Sequence, residues 1–204
     1  MNVDAVRRVW VVDDDADVRG SLELLLETSG FETRLFESAE QLLATIEPQS
    51  RGCLLLDVRL PGIDGLALQA ELKQRAIDLP IVFMSGHGDI PMAVRAVNAG
   101  ALDFIEKPFS DDRLIELLTT ALNREAARHA VSRDRRELEH RLDRLTPRER
   151  EVLEGLVDGK LSKQIAADLD ISPRTVELHR ARVLKKMEVA NAAELVRLLL
   201  DTRS

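Results

Sequence analysis

The sequence contains one cysteine, and it has no apolar run long enough to cross a membrane. Cys53 cannot form an internal disulfide, and scarce cysteine is typical of a reducing compartment. Its place within an apolar run predicts a packed core residue. No stretch approaches the roughly 20 apolar residues of a transmembrane helix, and residues 1–12 lack the long apolar core of a signal peptide. We therefore expect a cytoplasmic protein without a disulfide framework and without membrane contact.

Charge is distributed unevenly along the chain. Residues 1–125 hold 12 basic and 22 acidic residues, whereas residues 126–204 hold 17 basic and 14 acidic residues. The whole chain has 204 residues, a net charge of −7 and 45% hydrophobic residues, which is enough to form two small cores. An acidic first part and a mildly basic second part predict two domains with different functions.

The first 124 residues alternate short apolar runs with helical patterns, and we assign them to one domain. Strands are predicted at residues 9–12, 31–36, 53–56, 80–84 and 102–105. Helices are predicted at residues 17–29, 38–46, 66–74, 90–99 and 111–122. This alternation predicts an α/β fold with a doubly wound, flavodoxin-like, five-stranded parallel sheet. Right-handed crossovers would bring the carboxyl ends of all strands to one edge.

Asp57 ends the most apolar of these runs and is followed at once by a Pro/Gly loop. The run reads as a buried central strand, so Asp57 would lie at the edge where open α/β sheets place their functional groups. A buried Asp there has two common uses, as a metal ligand or as a nucleophile toward phosphorus. Asp57 alone does not distinguish these uses.

Other polar residues follow neighbouring strands and should meet Asp57 at the same edge. They are Asp13 and Asp14 after the first strand, Ser85 after the fourth and Lys107 after the fifth. Close carboxylates repel unless a cation neutralises them, and hard oxygen ligands with room for water favour Mg²⁺ over zinc. A lysine would neutralise a phosphoryl group, and a serine hydroxyl would donate to one of its oxygens. The set predicts phosphorylation at Asp57.

The motifs VVDDD, LLDVRLPGIDG, FMSGHGD and DFIEKPF, in this order, resemble the receiver domain of two-component response regulators across residues 8–124. The resemblance implies that Asp57 accepts a phosphoryl group from a sensor histidine kinase. It also implies that Ser85 and Phe104 form a switch pair, that Lys107 senses the phosphoryl group, and that a cis peptide precedes Pro108. The implied Mg²⁺ ligands are Asp13, Asp14, Asp57 and the backbone carbonyl of Arg59.

The same resemblance implies a homodimer that forms on phosphorylation through the face made by residues 90–99, 102–105 and 111–122. His87 flanks the site, and we interpret it as a surface residue of a loop rather than a ligand.

Residues 125–144 are assigned to a helical linker, since residues 123–145 contain neither Pro nor Gly. Three residues, Leu138, Leu142 and Leu145, give this helix a narrow apolar stripe. A solvated spacer is the favoured interpretation, and a short coiled contact is the alternative.

Residues 145–204 form the second predicted domain, an all-α unit of four helices. The helices are predicted at residues 147–157, 162–169, 173–187 and 191–200. Thr146 begins the first with an N-cap, a following Pro and Glu149 three residues later. The second and third helices are joined by a tight turn at residues 170–172, as in a helix-turn-helix unit.

The third helix of this domain is basic and carries two distinct faces. Residues 171–187 hold five basic residues against one Glu. Val176, Val183 and Met187 align as a buried stripe. The remaining positions predict DNA contacts at Arg174, Thr175, Glu177, Leu178, Ala181, Arg182 and Lys185. The basic side chains would hold phosphates, and Glu177 would accept from a cytosine amino group. The alternative is a solvated basic face.

Residues 145–200, with the segment LTPREREVLEGLVDGKLSKQIAADLDISPRTVELHRARVLKKM, resemble the LuxR-type DNA-binding domain. Together with the receiver, this is the FixJ/NarL type of response regulator. The resemblance implies a phosphorylation-activated transcription regulator with double-stranded promoter DNA and RNA polymerase as partners. A metal-dependent phosphatase would need a general acid where this chain has Arg59, so we expect no turnover beyond self-phosphorylation from a phosphodonor and autodephosphorylation. A phosphorelay shuttle would have no use for the third helix.

Overall fold

A parallel sheet organises the first part of the chain. A computed structural model describes residues 7–86 and 90–201, which divide into two compact units between residues 128 and 129. Within the described residues the first unit has five strands: β1 Arg8–Val12, β2 Glu32–Phe36, β3 Cys53–Asp57, β4 Ile81–Ser85 and β5 Asp103–Glu106. All neighbours are parallel, in the order β2-β1-β3-β4-β5. The predicted doubly wound sheet is confirmed. The interpretation of His87 lies outside the described residues.

Helices cover both faces of this sheet. They are α1 Ala16–Thr28, α2 Ala39–Thr45, α3 Gly65–Gln74, α4 Ile90–Asn98 and α5 Asp111–Asp143. Alternate residues of β3 enter separate cores, with Leu54 and Leu56 on one face and Cys53 and Leu55 on the other. A strand that is covered on both faces must be apolar throughout, which explains the unbroken run before Asp57. Cys53 is fully buried, and burial raises the pKa of its thiol.

The helix α5 spans both the last predicted helix of the receiver, residues 111–122, and nearly all of the predicted helical linker, residues 125–144. It runs without a break through residue 122, where the last receiver helix was expected to end, and on to Asp143. Near its middle, buried Glu125 pairs with Arg51 at 3.1 Å, and Arg128 pairs with Asp78 at 2.7 Å. No Gly or Pro interrupts this stretch, so helix propensity and these anchors act together.

The leucine stripe near the end of α5 faces a core, so the solvated-spacer interpretation is wrong for these side chains. Leu138 and Leu145 are buried and Leu142 is partly buried, all within the apolar cluster of the second unit. Three leucines gave too short a pattern for sequence alone to show what they pack against. The boundaries predicted for the linker stay a prediction.

The second unit is a set of short helices around that cluster. Beyond α5, its described residues form α6 Pro147–Val157, α7 Ser162–Leu169, α8 Pro173–Met187 and α9 Ala192–Asp201. Thr146 and Glu149 form the predicted capping box of α6. A Cβ on Gly155 would lie 2.8 Å from the Ile165 side chain, so this glycine lets α6 and α7 approach closely. Among the described residues, no helix has the length and apolarity needed to cross a bilayer.

The second unit contains a buried ion pair. Glu149 is 2% exposed, and its Oε2 accepts from Lys186 Nζ at 2.6 Å and from the Thr146 amide at 2.9 Å. Burial alone would raise the pKa of Glu149, but the hydrogen bonds from Lys186 and Thr146 outweigh it, so the pKa lies below 4.5. Because the folded pKa is lowered, this carboxylate stabilises the fold above pH 4.5, and the contribution disappears as the pH falls through the folded pKa.

Replacing Glu149 with Ala should therefore destabilise the second unit by about 2–3 kcal/mol at pH 7. This loss is smaller than for a variant that leaves a fully buried, unpaired charge, because Lys186 is partly exposed. Urea unfolding followed by circular dichroism measures the change, and the difference from wild type should shrink in acid. Glu151→Ala is the matched control, since its pair with Arg148 lies on the surface and is worth under about 1 kcal/mol. Equal losses in both variants would contradict the assignment.

Candidate phosphorylation site and DNA interface

The carboxyl ends of four neighbouring strands bring the predicted polar residues to one sheet edge. Asp57 ends β3 and Ser85 ends β4, while Asp13 directly follows β1 and Lys107 follows β5. The Lys107 amide donates to the Ser85 carbonyl at 2.7 Å, which extends the β4–β5 ladder and fixes where the lysine leaves the sheet. The peptide between Lys107 and Pro108 is cis, as the resemblance implied.

Lys107 bridges the two buried carboxylates at this edge. Its Nζ lies 2.6 Å from Asp13 Oδ2 and 2.5 Å from Asp57 Oδ2. The other oxygen of each carboxylate is held by its own loop: Asp57 Oδ1 accepts from the Arg59 amide at 2.7 Å, and Asp13 Oδ1 accepts from the Asp15 amide at 3.0 Å. Asx-type contacts of this kind fix a short side chain against its backbone. Asp57 is thus both buried and oriented.

One ammonium serves two carboxylates at this edge, and burial and hydrogen bonding shift the pKa values of Asp57 and Lys107. Burial raises the pKa of Asp57, and the charge of Asp13 adds to the effect, so that the opposing hydrogen bonds from Lys107 and the Arg59 amide are outweighed. Burial disfavours the Lys107 ammonium, but its hydrogen bonds to Asp13 and Asp57 prevail, and the pKa of Lys107 is raised. The edge therefore carries an excess of negative charge, which a further cation or a protonated donor would relieve.

The predicted switch residues lie on β4, which pairs with the strand of Asp57, and on β5, which pairs with β4. Ser85 is fully buried. Phe104 lies on β5 opposite Phe83 of β4, is half-buried, and packs against the core cluster on the α3–α4 face of the sheet. A half-buried ring at the rim of a core can change rotamer at lower cost than a fully enclosed ring. Position and burial are thus compatible with the switch role, which stays a prediction.

The helix α8 presents an exposed polar face opposite its buried stripe. Val176, Val183 and Met187 are fully buried, as predicted. The residues predicted to contact DNA that are exposed are Arg174, Glu177, Leu178, Ala181, Arg182 and Lys185. Thr175 is half-buried, and its Oγ1 lies 2.8 Å from the Oγ of Ser172, the cap of α8. A helix-turn-helix unit reads DNA with a face of this kind.

Family comparisons match both units. The model described as "Response regulator receiver domain" matches residues 9–119, and "Bacterial regulatory proteins, luxR family" matches residues 143–199. The chain is 45% identical over 193 residues to the transcriptional regulatory protein FixJ of Bradyrhizobium diazoefficiens, covering 93% of each chain. The chain belongs to the FixJ type of response regulators. This type is a phosphorylation-activated DNA-binding regulator that joins a receiver to a LuxR-type domain.

Solved structures of response regulators resemble the whole chain. The response regulator StyR matches with a TM-score of 0.90 and 41% identity, over 95% of this chain and 98% of that one. Full-length FixJ from B. japonicum matches with a TM-score of 0.61 and 42% identity, over 96% and 97% of the two chains. The predicted fold class of both domains is confirmed by these relatives.

The predicted metal ligands of this response regulator are only partly assembled. Asp13 and Asp57 meet through Lys107, whereas Asp14 is exposed. Across residues 7–86 and 90–201, no group of three His, Cys, Asp or Glu side chains is arranged to hold a metal ion. The carbonyl of Arg59 adds an oxygen that such a grouping of side chains does not include. The metal roles therefore stay a prediction.

Contacts around Glu177 were not foreseen from the sequence. Its carboxylate accepts a hydrogen bond from Ser162 of α7, and Arg180 donates to the same serine. The partners are 15 and 18 residues apart along the chain, and nothing in the periodicity of α7 or α8 distinguishes Ser162 from a solvated helix residue. Only the packing of α7 against α8 brings these groups together.

Proposed function

We propose that Asp57 is the residue of this response regulator that carries the phosphoryl group. The observation that supports it most is the carboxylate itself, buried at the sheet edge with one oxygen on Lys107 and the other on the Arg59 amide. An Asp57 oxygen attacks phosphorus, forming an O–P bond as the donor's bond to phosphorus breaks. With a phosphohistidine donor whose other ring nitrogen is protonated, the histidine leaves as a neutral imidazole. Lys107 neutralises charge on the phosphoryl oxygens.

Mg²⁺ is the proposed cofactor, held by Asp13, Asp14, Asp57 and the carbonyl of Arg59. The donor set is all oxygen, which suits a hard cation. The buried pair Asp13 and Asp57 shares a single ammonium, so two carboxylates face one positive charge, and burial raises the pKa of Asp57. Bound Mg²⁺ would neutralise the carboxylates and the incoming phosphoryl oxygens. Lys107 would then be released from Asp57 to follow the phosphoryl group.

Phosphorylation is proposed to shift the receiver between two packings, with Ser85 drawn toward the phosphoryl group and Phe104 moving into the space. The shift exposes a dimer face on α4, β5 and α5, and complete switching needs about 5.5 kcal/mol of differential stabilisation. We expect the phosphorylated protein to sediment as a dimer and the Asp57→Asn variant to keep its mass under the same treatment. Analytical ultracentrifugation measures both, and an unchanged wild-type mass would contradict the dimer.

A sensor histidine kinase is the proposed donor, and α1 offers it a docking surface. Leu24 is 68% exposed. It lines a groove of about 810 Å³ that runs from α1 to Lys107, Pro108 and Phe109, next to the acceptor. Val18, Leu25 and Phe109 line the same groove, and a contiguous exposed apolar surface is typical of a protein-docking site.

Replacing Leu24 with Glu should slow phosphotransfer from the kinase about tenfold or more, because a charge would enter an apolar contact. The rate with acetyl phosphate and Mg²⁺ should stay unchanged, since a small donor needs no docking surface. Comparing both rates by phosphate-affinity electrophoresis tests this. Val131→Glu is the control, since Val131 is equally exposed but lies on α5 beyond the receiver unit. Equal slowing by both donors would point to damage at the acceptor site itself.

A further inference from the structure

The carboxylate of Glu177 is held in place by a side chain from the neighbouring helix. Ser162 Oγ, at the first residue of α7, lies 2.5 Å from Glu177 Oε1 on α8. Arg180 Nη1, one helical turn beyond Glu177, lies 2.9 Å from the same Ser162 Oγ and 3.5 Å from Glu177 Oε1. The three side chains form a small polar cluster across the α7–α8 contact.

Chemistry fixes the direction of these hydrogen bonds. A guanidinium can only donate, and an ionised carboxylate can only accept. The hydroxyl of Ser162 lies between them, so it accepts from Arg180 and gives its single proton to Glu177. The chain therefore runs from Arg180 through Ser162 to Glu177, and it holds the glutamate in one orientation.

The other oxygen of Glu177 is left for a partner. The side chain is 60% exposed. Among the described residues, Oε1 takes both protein contacts and Oε2 takes none. Exposed Leu178 and Arg174 flank Glu177 on α8. In the major groove a glutamate oxygen accepts from the N4 amino group of cytosine.

We propose that Ser162 and Arg180 are positioning residues for base recognition, which hold Glu177 Oε2 to accept from cytosine at one base pair of the DNA site. The inference rests on the DNA contacts predicted for α8. A surface glutamate otherwise samples many rotamers, and ordering it on binding would cost conformational entropy. Because Glu177 is already ordered before binding, this entropy cost is avoided, and the benefit appears only where the base offers a hydrogen-bond donor. Ser162 thereby changes the preference between sequences more than the affinity for DNA in general.

A direct contact between Ser162 and DNA would give a different result. The first residue of a helix is well placed to donate to a phosphate. A phosphate contact carries no sequence information, so its loss would weaken binding to every duplex equally. The positioning role instead predicts that the effect of Ser162 depends on Glu177.

The test is a double-mutant cycle on the full-length protein after treatment with Mg²⁺ and acetyl phosphate. Duplexes selected by the wild type from a random pool define the preferred base pair at each position. We expect Ser162→Ala to reduce the preference for cytosine at one position about five- to tenfold, with binding to an unrelated duplex unchanged. In the Glu177→Ala background, Ser162→Ala should change the preference no further.

Matched variants separate positioning from damage. Ser162→Thr keeps the hydroxyl and should restore the wild-type preference. Ser21→Ala removes a comparable helix-surface hydroxyl from α1 and should change nothing. Additive effects of Ser162→Ala and Glu177→Ala, or an equal loss on all duplexes, would overturn the positioning role while leaving DNA binding intact. If the wild type selects no duplex at all, the proposed DNA-reading surface fails together with this inference.

Discussion

Replacing Asp57 with Asn should abolish incorporation of phosphate from acetyl phosphate and Mg²⁺, with a loss of at least about 1000-fold in rate. Asn is nearly the same size, but its amide oxygen is a far weaker nucleophile than a carboxylate. Incorporation is measured by intact mass spectrometry. The reaction is quenched with acid at a pH that preserves the acyl phosphate. Label that appears equally on both proteins would show that the acceptor is another residue.

The Asp57→Asn variant should stay folded, which makes the loss of phosphate interpretable. Because the pKa of Asp57 is raised in the fold, the ionised carboxylate costs stability, and this cost is present above the raised pKa and disappears below pH 3.8. Asn resembles the protonated acid, so the variant should unfold at a higher temperature than wild type at pH 7 and at a similar temperature in strong acid. Asp64→Asn, at the cap of α3, is the control and should incorporate phosphate normally.

Replacing both Arg174 and Arg182 with Gln should weaken binding to all duplexes about 100-fold, because each charged contact to phosphate contributes about 1.5 kcal/mol. Both side chains are exposed on the polar face of α8. The salt dependence should fall as well, and the slope of log K against log salt should decrease by about 1.8. Fluorescence anisotropy with a selected and an unrelated duplex measures both quantities.

A change of equal charge in the receiver is the control for this experiment. Arg34 and Lys73 are exposed on β2 and α3, and replacing both with Gln alters the net charge by the same amount. Their loss should change binding little, because the predicted contacts to phosphate lie on α8. If the two double variants bind equally weakly, net charge rather than the face of α8 governs affinity.

Much of the fold was accessible from the sequence because its signals are local. Apolar runs such as that before Asp57 predicted each strand, and the parallel arrangement placed their ends at one edge. Asp13, Asp57 and Lys107 could thus be assigned to one site although 94 residues separate the first from the last. The local pattern of Thr146 and Glu149 likewise predicted the start of α6.

The remaining features depend on packing between distant segments. The sequence placed Lys107 at the site but could not show that its ammonium pairs with both carboxylates. The sequence pattern around Leu138 is that of a surface position on a helix, whereas in the structure Leu138 packs in the second core. Ser162 meets Glu177 only because α7 packs against α8. Side-chain partners across such contacts leave no periodic pattern in the chain.

Control of DNA binding by α8 is proposed to come from the phosphoryl group on Asp57. The most direct test measures the affinity of wild type and Asp57→Asn for a selected duplex, before and after treatment with Mg²⁺ and acetyl phosphate. We expect the affinity of the wild type to rise at least about tenfold and that of Asp57→Asn to stay at the untreated value. An equal rise in both proteins, or none in the wild type, would contradict control of DNA binding by phosphorylation of Asp57.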